Sequence, residues 1–182
     1  ITPLSGTIGA EISGIDLRNL SDSEFDAVHC AFLDHAVLCF RDQDLTPDDQ
    51  IAFARRWGEI HDHPYLNGLP DHSEIIEIVK EAGERNRFGA YWHTDQIFTP
   101  TPAMATILYA KEVPPVGGDT MFASLTSAYD ALSDGMKAMA SRLRTFNLYD
   151  KQSPRSKRMA EKIPNRETAA EPATHPLVRL SL

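Results

Sequence analysis

Helix-period segments are confined to two parts of this chain, and the β-prone runs elsewhere are short and punctuated by proline and glycine. Ser21-Asp22-Ser23-Glu24 fits a capping box, and Phe25, Val28, Phe32, Leu33 and Ala36 follow at helical spacing, which predicts a helix from about 22 to 35. Thr46 as N-cap, Pro47 at the first helical position and Asp48-Asp49 in the first turn predict a second helix that Gly58 closes. Residues 124–143 carry two further apolar faces with a break at Ser133-Asp134-Gly135, and their methionines read as core filler. The β-prone runs are Thr7–Ile12, Gly14–Leu17, Ala36–Phe40, Glu74–Lys80, Tyr91–Phe98, Ala103–Ala110, Met121–Ala123, Arg144–Tyr149 and the stretch near His175. Helices and strands do not alternate regularly. The expected class is therefore mainly β with flanking helices (α+β): an antiparallel β core in one domain spanning 1–182.

Composition narrows the function classes. The chain has 182 residues, enough for a sizeable core, and a net charge of −8 that argues against nucleic acid as a partner. It contains no apolar run of membrane-spanning length, so no membrane span is expected. Cys30 and Cys39 lie in apolar surroundings and read as reduced, buried thiols, which suits a cytoplasmic protein, although a disulfide between them stays open. Residues 151–166 carry six basic side chains against the single acid Glu161, and read as either a solvated loop or a basic lid over an anion.

Two segments offer metal-binding side chains. In Tyr91–Phe98, His93 and Asp95 stand two residues apart. On an extended strand they share a face and can offer an imidazole nitrogen and a carboxylate oxygen to one ion. That is two-thirds of the 2-His-1-carboxylate arrangement of non-haem iron sites. His61 and His63 form a second pair, between Gly58 and the turn residues Pro64, Asn67, Gly68 and Pro70. A loop histidine bonding an anionic substrate fits that setting better than a ligand does. His29 and His35 read as surface or helix-end residues. Gly117-Gly118 is not followed by a Lys-Ser/Thr pair, so a phosphate-binding loop is discarded.

Tyr91-Trp92-His93-Thr94-Asp95, Phe98, Thr99-Pro100-Thr101-Pro102 and Gly117-Gly118-Asp119-Thr120 together resemble the taurine/2,4-dichlorophenoxyacetate dioxygenase family. Further similarity lies in Ile8–Gly14, Phe40–Gln43, Phe53–Gly58 and His175–Arg179, so the resemblance covers essentially the whole chain. It implies a double-stranded β-helix (jelly-roll) core and an enzyme dependent on Fe(II) and 2-oxoglutarate. Such an enzyme hydroxylates an anionic small molecule (a sulfonate, an aryloxyalkanoate or similar) with O2, releasing succinate and CO2.

Residue by residue, the resemblance implies His93 and Asp95 as iron ligands and Thr120 as a hydroxyl near the 2-oxoglutarate carboxylate. It gives Trp92 and Phe98 as pocket aromatics and His63 as a contact to the substrate anion. Leu66 and Gly89 stand where taurine-cleaving members have tyrosine and asparagine, which points to a larger or more apolar acid than taurine. His175 lies in the strand that precedes the third ligand, so that ligand and the 2-oxoglutarate-binding arginine are expected beyond Leu182, with the core incomplete at the C-terminus. Other readings remain: a non-catalytic β-core binding module or inactive fragment, and a zinc hydrolase using His61, His63 and His93. Assembly into homo-oligomers is left open.

Overall fold

The computed structural model describes residues 1–64, 66–81, 83, 89, 91–149 and 172–180. The basic stretch 151–166 and most of the expected 81–89 hairpin loop lie outside the described residues. The chain divides into two compact units, Ile1–Phe53 with Leu108–Arg142 and Val178–Leu182, and Ala54–Ile107 with Leu143–Leu177.

The first unit is built on a three-stranded sheet of β1 (Thr2–Pro3), β2 (Ala10–Ile12) and β3 (Leu38–Phe40), in that order. β1 runs antiparallel to β2, but β2 and β3 are parallel, with Ala10 opposite Leu38 and Ile12 opposite Phe40. A parallel pair needs a crossover, and α1 (Asp22–His35) supplies it. The sheet is therefore mixed rather than purely antiparallel as expected. The expected strand Gly14–Leu17 does not form; Leu17–Asn19 is instead a single 3-10 turn capped by the Asp16 carboxylate.

Helix α1 starts and stops on local chemistry. The Ser21 hydroxyl accepts from the Glu24 N–H at 3.3 Å, and the Glu24 carboxylate accepts from the Ser21 N–H at 2.9 Å, so two otherwise unpaired donors are satisfied reciprocally. Its end is Ala36, at φ 61°, whose N–H bonds the Phe32 carbonyl at 2.8 Å. α1 buries Val28 and Ala31, while Cys30 is exposed and Cys39 half-buried; both thiols are free. The expectation of two buried thiols thus fails for Cys30, which α1 turns away from the face carrying Val28 and Ala31.

Helix α2 (Pro47–Arg55) repeats the capping pattern, with the Asp49 carboxylate accepting from the Thr46 N–H at 2.9 Å and Thr46 Oγ1 accepting from the Asp49 N–H at 3.2 Å. It sends Ile51 and Phe53 inward, and the Phe53 ring meets Phe25 and Phe40 edge-on at centroid distances of 6.5 and 6.0 Å. Aromatic pairs prefer this geometry because the positive ring edge meets the negative face. Gln43 and Tyr109 supply the polar ties. The Gln43 amide oxygen accepts from the Leu17 N–H at 3.0 Å, and the Tyr109 hydroxyl donates to the Gln43 carbonyl at 3.1 Å.

The expected helical region 124–143 forms two helices, α3 (Leu125–Asp130) and α4 (Asp134–Ala140), capped by the hydroxyls of Ser124 and Ser133. Met136 and Met139 are about half exposed and are not core filler. Helical periodicity gives the face a residue occupies but not whether that face has a partner.

The second unit carries β4 (Arg144–Asn147) and β5 (Ala173–Pro176), paired antiparallel with Thr145 opposite His175. Thr145, Asn147, Ala173 and His175 share the inner face; Arg144, Phe146, Thr174 and Pro176 face outward. Asn147 Nδ2 donates to the Ala173 carbonyl at 3.3 Å and to Thr145 Oγ1 at 3.0 Å. Gly68 permits a tight turn through Leu69–Ile75, because any Cβ there would collide with the Ser73 backbone carbonyl.

Among the described residues, Glu74–Lys80, Ala103–Ala110 and Met121–Ala123 join no ladder. Neither does Tyr91–Phe98, the expected metal-bearing strand, whose second half is turn. There Gln96 takes φ 49°, and its carbonyl accepts from both the N–H and the hydroxyl of Thr99 at 2.9 Å. Thr99 thus closes a local turn that outcompetes strand pairing, and Pro100 has no N–H to extend a ladder.

Candidate metal centre

His93 and Asp95 come together in the second unit without a strand ladder to align them. Nε2 of His93 lies 3.1 Å from Oδ1 of Asp95, with both side chains about half exposed. The other ring nitrogen, Nδ1, lies 2.6 Å from the Tyr91 carbonyl oxygen. A carbonyl only accepts, so Nδ1 carries the proton in that bond. In the neutral ring this leaves the Nε2 lone pair facing a carboxylate. Two electron-rich atoms at that distance repel unless a cation lies between them, either a proton or a metal ion. A histidine that ligates through one nitrogen characteristically donates its other N–H to a carbonyl or carboxylate, which fixes tautomer and ring orientation. The second carboxylate oxygen of Asp95, Oδ2, accepts from the Thr106 hydroxyl at 2.8 Å. No feature of spacing or periodicity singles out Thr106, eleven residues on.

His63 belongs to the same unit. Its ring meets Phe98 edge-on at 6.2 Å, and Phe98 in turn meets Tyr149 at 5.2 Å. His63 Nδ1 accepts from the Leu66 N–H at 3.2 Å. Nδ1 therefore has no proton, and the proton of the neutral ring sits on Nε2. Burial pushes the His63 pKa below the ordinary histidine value; the Asp95 charge opposes the shift, and His61 adds to it.

The folded pKa is thus lower than the unfolded one, and between the two values the unfolded chain binds more protons. Stability contributed by neutral His63 is complete above the ordinary histidine pKa of about 6.5 and is lost as pH falls through the lowered folded value. Replacing His63 by Gln is expected to flatten the fall in Tm as pH drops below about 6.5. Tm–pH curves with the native slope in that variant would contradict this.

The other expected site residues are distributed as follows. Trp92 is 70% exposed. Thr120 lies in the first unit, in the exposed irregular segment after Gly117 and Gly118, and its assignment rests on the resemblance. His175 is 8% exposed, and its Nε2 stands 3.0 Å from the carbonyl oxygens of both Ile97 and Thr99. That nitrogen is therefore committed to the backbone that follows Asp95. Among the described residues no three His, Cys, Asp or Glu side chains gather to hold an ion. The zinc reading through His61, His63 and His93 therefore fails, because those three do not converge. Among the described residues no helix is long and apolar enough to cross a membrane.

Comparison with known proteins bears on the class. The chain is 39% identical over 141 residues to (S)-phenoxypropionate/alpha-ketoglutarate-dioxygenase of Sphingobium herbicidovorans, covering 76% of this chain and 49% of that protein. It spans about half the length of the curated relatives it matches. Among solved structures, it superposes with a TM-score of 0.73 on a putative alpha-ketoglutarate-dependent taurine dioxygenase from Burkholderia xenovorans, at 34% identity over 82% of this chain and 53% of the other. It superposes at 0.70 on AAD-2 in complex with Mn(II) and N-oxalylglycine, at 28% identity over 97% of this chain and 66% of the other. A paired imidazole and carboxylate in the second unit, the shared fold and a match running from residue 1 to residue 181 converge: the chain belongs to the taurine catabolism dioxygenase TauD, TfdA family.

Proposed function

We propose that the protein is an Fe(II)- and 2-oxoglutarate-dependent dioxygenase that hydroxylates an anionic small molecule on a double-stranded β-helix core. The observation that carries this is the 3.1 Å approach of His93 Nε2 to Asp95 Oδ1, with Nδ1 already bonded to the Tyr91 carbonyl. At 3.1 Å the two atoms are close enough that both would hold one ion. One nitrogen and one carboxylate oxygen are donors suited to iron(II). When bound, iron(II) with 2-oxoglutarate and O2 supplies the oxidative chemistry, in which one oxygen atom enters a substrate C–H bond and the other enters succinate as CO2 leaves.

The chain's own residues bind and orient. His93 and Asp95 hold the ion from one side. His63, neutral with its proton on Nε2, offers a hydrogen bond to an anionic group, and Phe98 supplies an apolar wall beside it. Gly89, at φ 67°, puts no side chain beside the His93 ring, where a Cβ would lie 3.6 Å from Cε1. This supports an acid larger than taurine, in line with the phenoxypropionate named for the Sphingobium relative.

The test is succinate formation by full-length protein supplied with Fe(II), 2-oxoglutarate and a panel of sulfonates and aryloxyalkanoates. The expected result is succinate coupled to consumption of an aryloxyalkanoate, at higher kcat/KM than taurine. Uncoupled or absent succinate with every acid would overturn the activity, whereas a preference for taurine would overturn only the substrate class.

A further inference from the structure

We propose that Thr106 is the positioning residue of the metal centre, holding the Asp95 carboxylate so that one oxygen alone faces His93. This rests on the reading of His93 and Asp95 as metal ligands. The Thr106 hydroxyl donates to Asp95 Oδ2 at 2.8 Å, while Oδ1 stands 3.1 Å from His93 Nε2. A carboxylate turns easily about its terminal bond, and an untethered one would exchange its two oxygens at the ion or present both. A hydrogen bond on Oδ2 opposes that rotation and leaves Oδ1 as the forward atom.

Both candidate ligands then follow one design. Each has one polar atom tied to the chain, Nδ1 to the Tyr91 carbonyl and Oδ2 to the Thr106 hydroxyl, and one atom facing the common point. Threonine suits the task because its β-branch stiffens the first side-chain torsion and aims the hydroxyl at low entropic cost. Threonine hydroxyls commonly turn back on the nearby backbone instead. Thr106 reaches a carboxylate eleven residues away, across Pro100 and Pro102, whose fixed φ angles stiffen the connection. A single-point carboxylate also leaves a coordination position for the cosubstrate that a two-point carboxylate would occupy.

The experiment compares full-length native protein with the Thr106→Val and Thr106→Ser variants by Mn(II) titration, following free Mn(II) by its electron paramagnetic resonance signal. Thr106 is exposed and outside regular structure, so both variants should fold, which Tm checks independently. Valine keeps the shape and loses the donor, and is expected to weaken Mn(II) binding on the order of 10-fold. Serine keeps the hydroxyl and is expected to retain native affinity. Native affinity in Thr106→Val, or a loss in Thr106→Ser as large as in Thr106→Val, would overturn the role of Thr106 alone. Native protein that binds no Mn(II) would overturn the metal centre with it.

Discussion

Replacing His93 by Ala is expected to abolish Mn(II) binding and 2-oxoglutarate-dependent succinate formation together, while leaving Tm nearly unchanged. The imidazole provides the nitrogen donor paired with Asp95 in the 3.1 Å arrangement, and alanine removes it. Removing a hydrogen-bond partner of a ligand costs about 10–100-fold in metal affinity, so removing the ligand itself should exceed the upper end of that range. Stability should move little because the His93 side chain is 46% exposed and buries little apolar surface. Succinate formation that persists in this variant, or Mn(II) affinity within tenfold of native, would remove His93 from the centre.

The second large effect is expected at a histidine outside the candidate ligand pair, His175. His175→Leu should destabilise the protein by about 3 kcal/mol, a fall in Tm of roughly 6–12 °C. His175 is 8% exposed, and its Nε2 lies 3.0 Å from two carbonyl oxygens, those of Ile97 and Thr99. Leucine fills similar space but leaves both acceptors short of a donor, and each orphaned buried group costs about 1–3 kcal/mol. His175→Gln supplies an amide N–H pair at a similar reach and is expected to recover part of the loss. The measurement is thermal unfolding of the three proteins in parallel. A leucine variant as stable as native would show that the bonds to Ile97 and Thr99 contribute nothing.

These two histidines divide what was legible in the chain from what was not. His93 and Asp95 are marked by their spacing, because two candidate ligands that share one short segment leave a local trace. An extended strand accounts for only half of this pairing. The side chains do meet, yet Tyr91–Phe98 joins no ladder among the described residues, and Thr99 closes a turn onto Gln96. Thr106 and His175 leave no such trace. Their partners lie 11 residues and 76–78 residues away, and no period or motif encodes a meeting over those distances.

The same division runs through the fold. The start of α1 follows from Ser21 and Glu24 and that of α2 from Thr46, Pro47 and Asp49. Capping is a contest among atoms within one turn of each other, so the sequence by itself determined it. The split between α3 and α4 at Ser133 is local in the same sense. The parallel pairing of β2 with β3, the exposure of Cys30, Met136 and Met139, and, among the described residues, the lack of a ladder at Glu74–Lys80 were decided by tertiary structure. A β-prone pattern gives an extended segment its preference, but its hydrogen-bonding partner is another segment whose arrival depends on the whole chain. The candidate metal centre needed both levels: spacing placed two donors side by side, and only folding brought Thr106 to Asp95 and His175 to the turn beyond it.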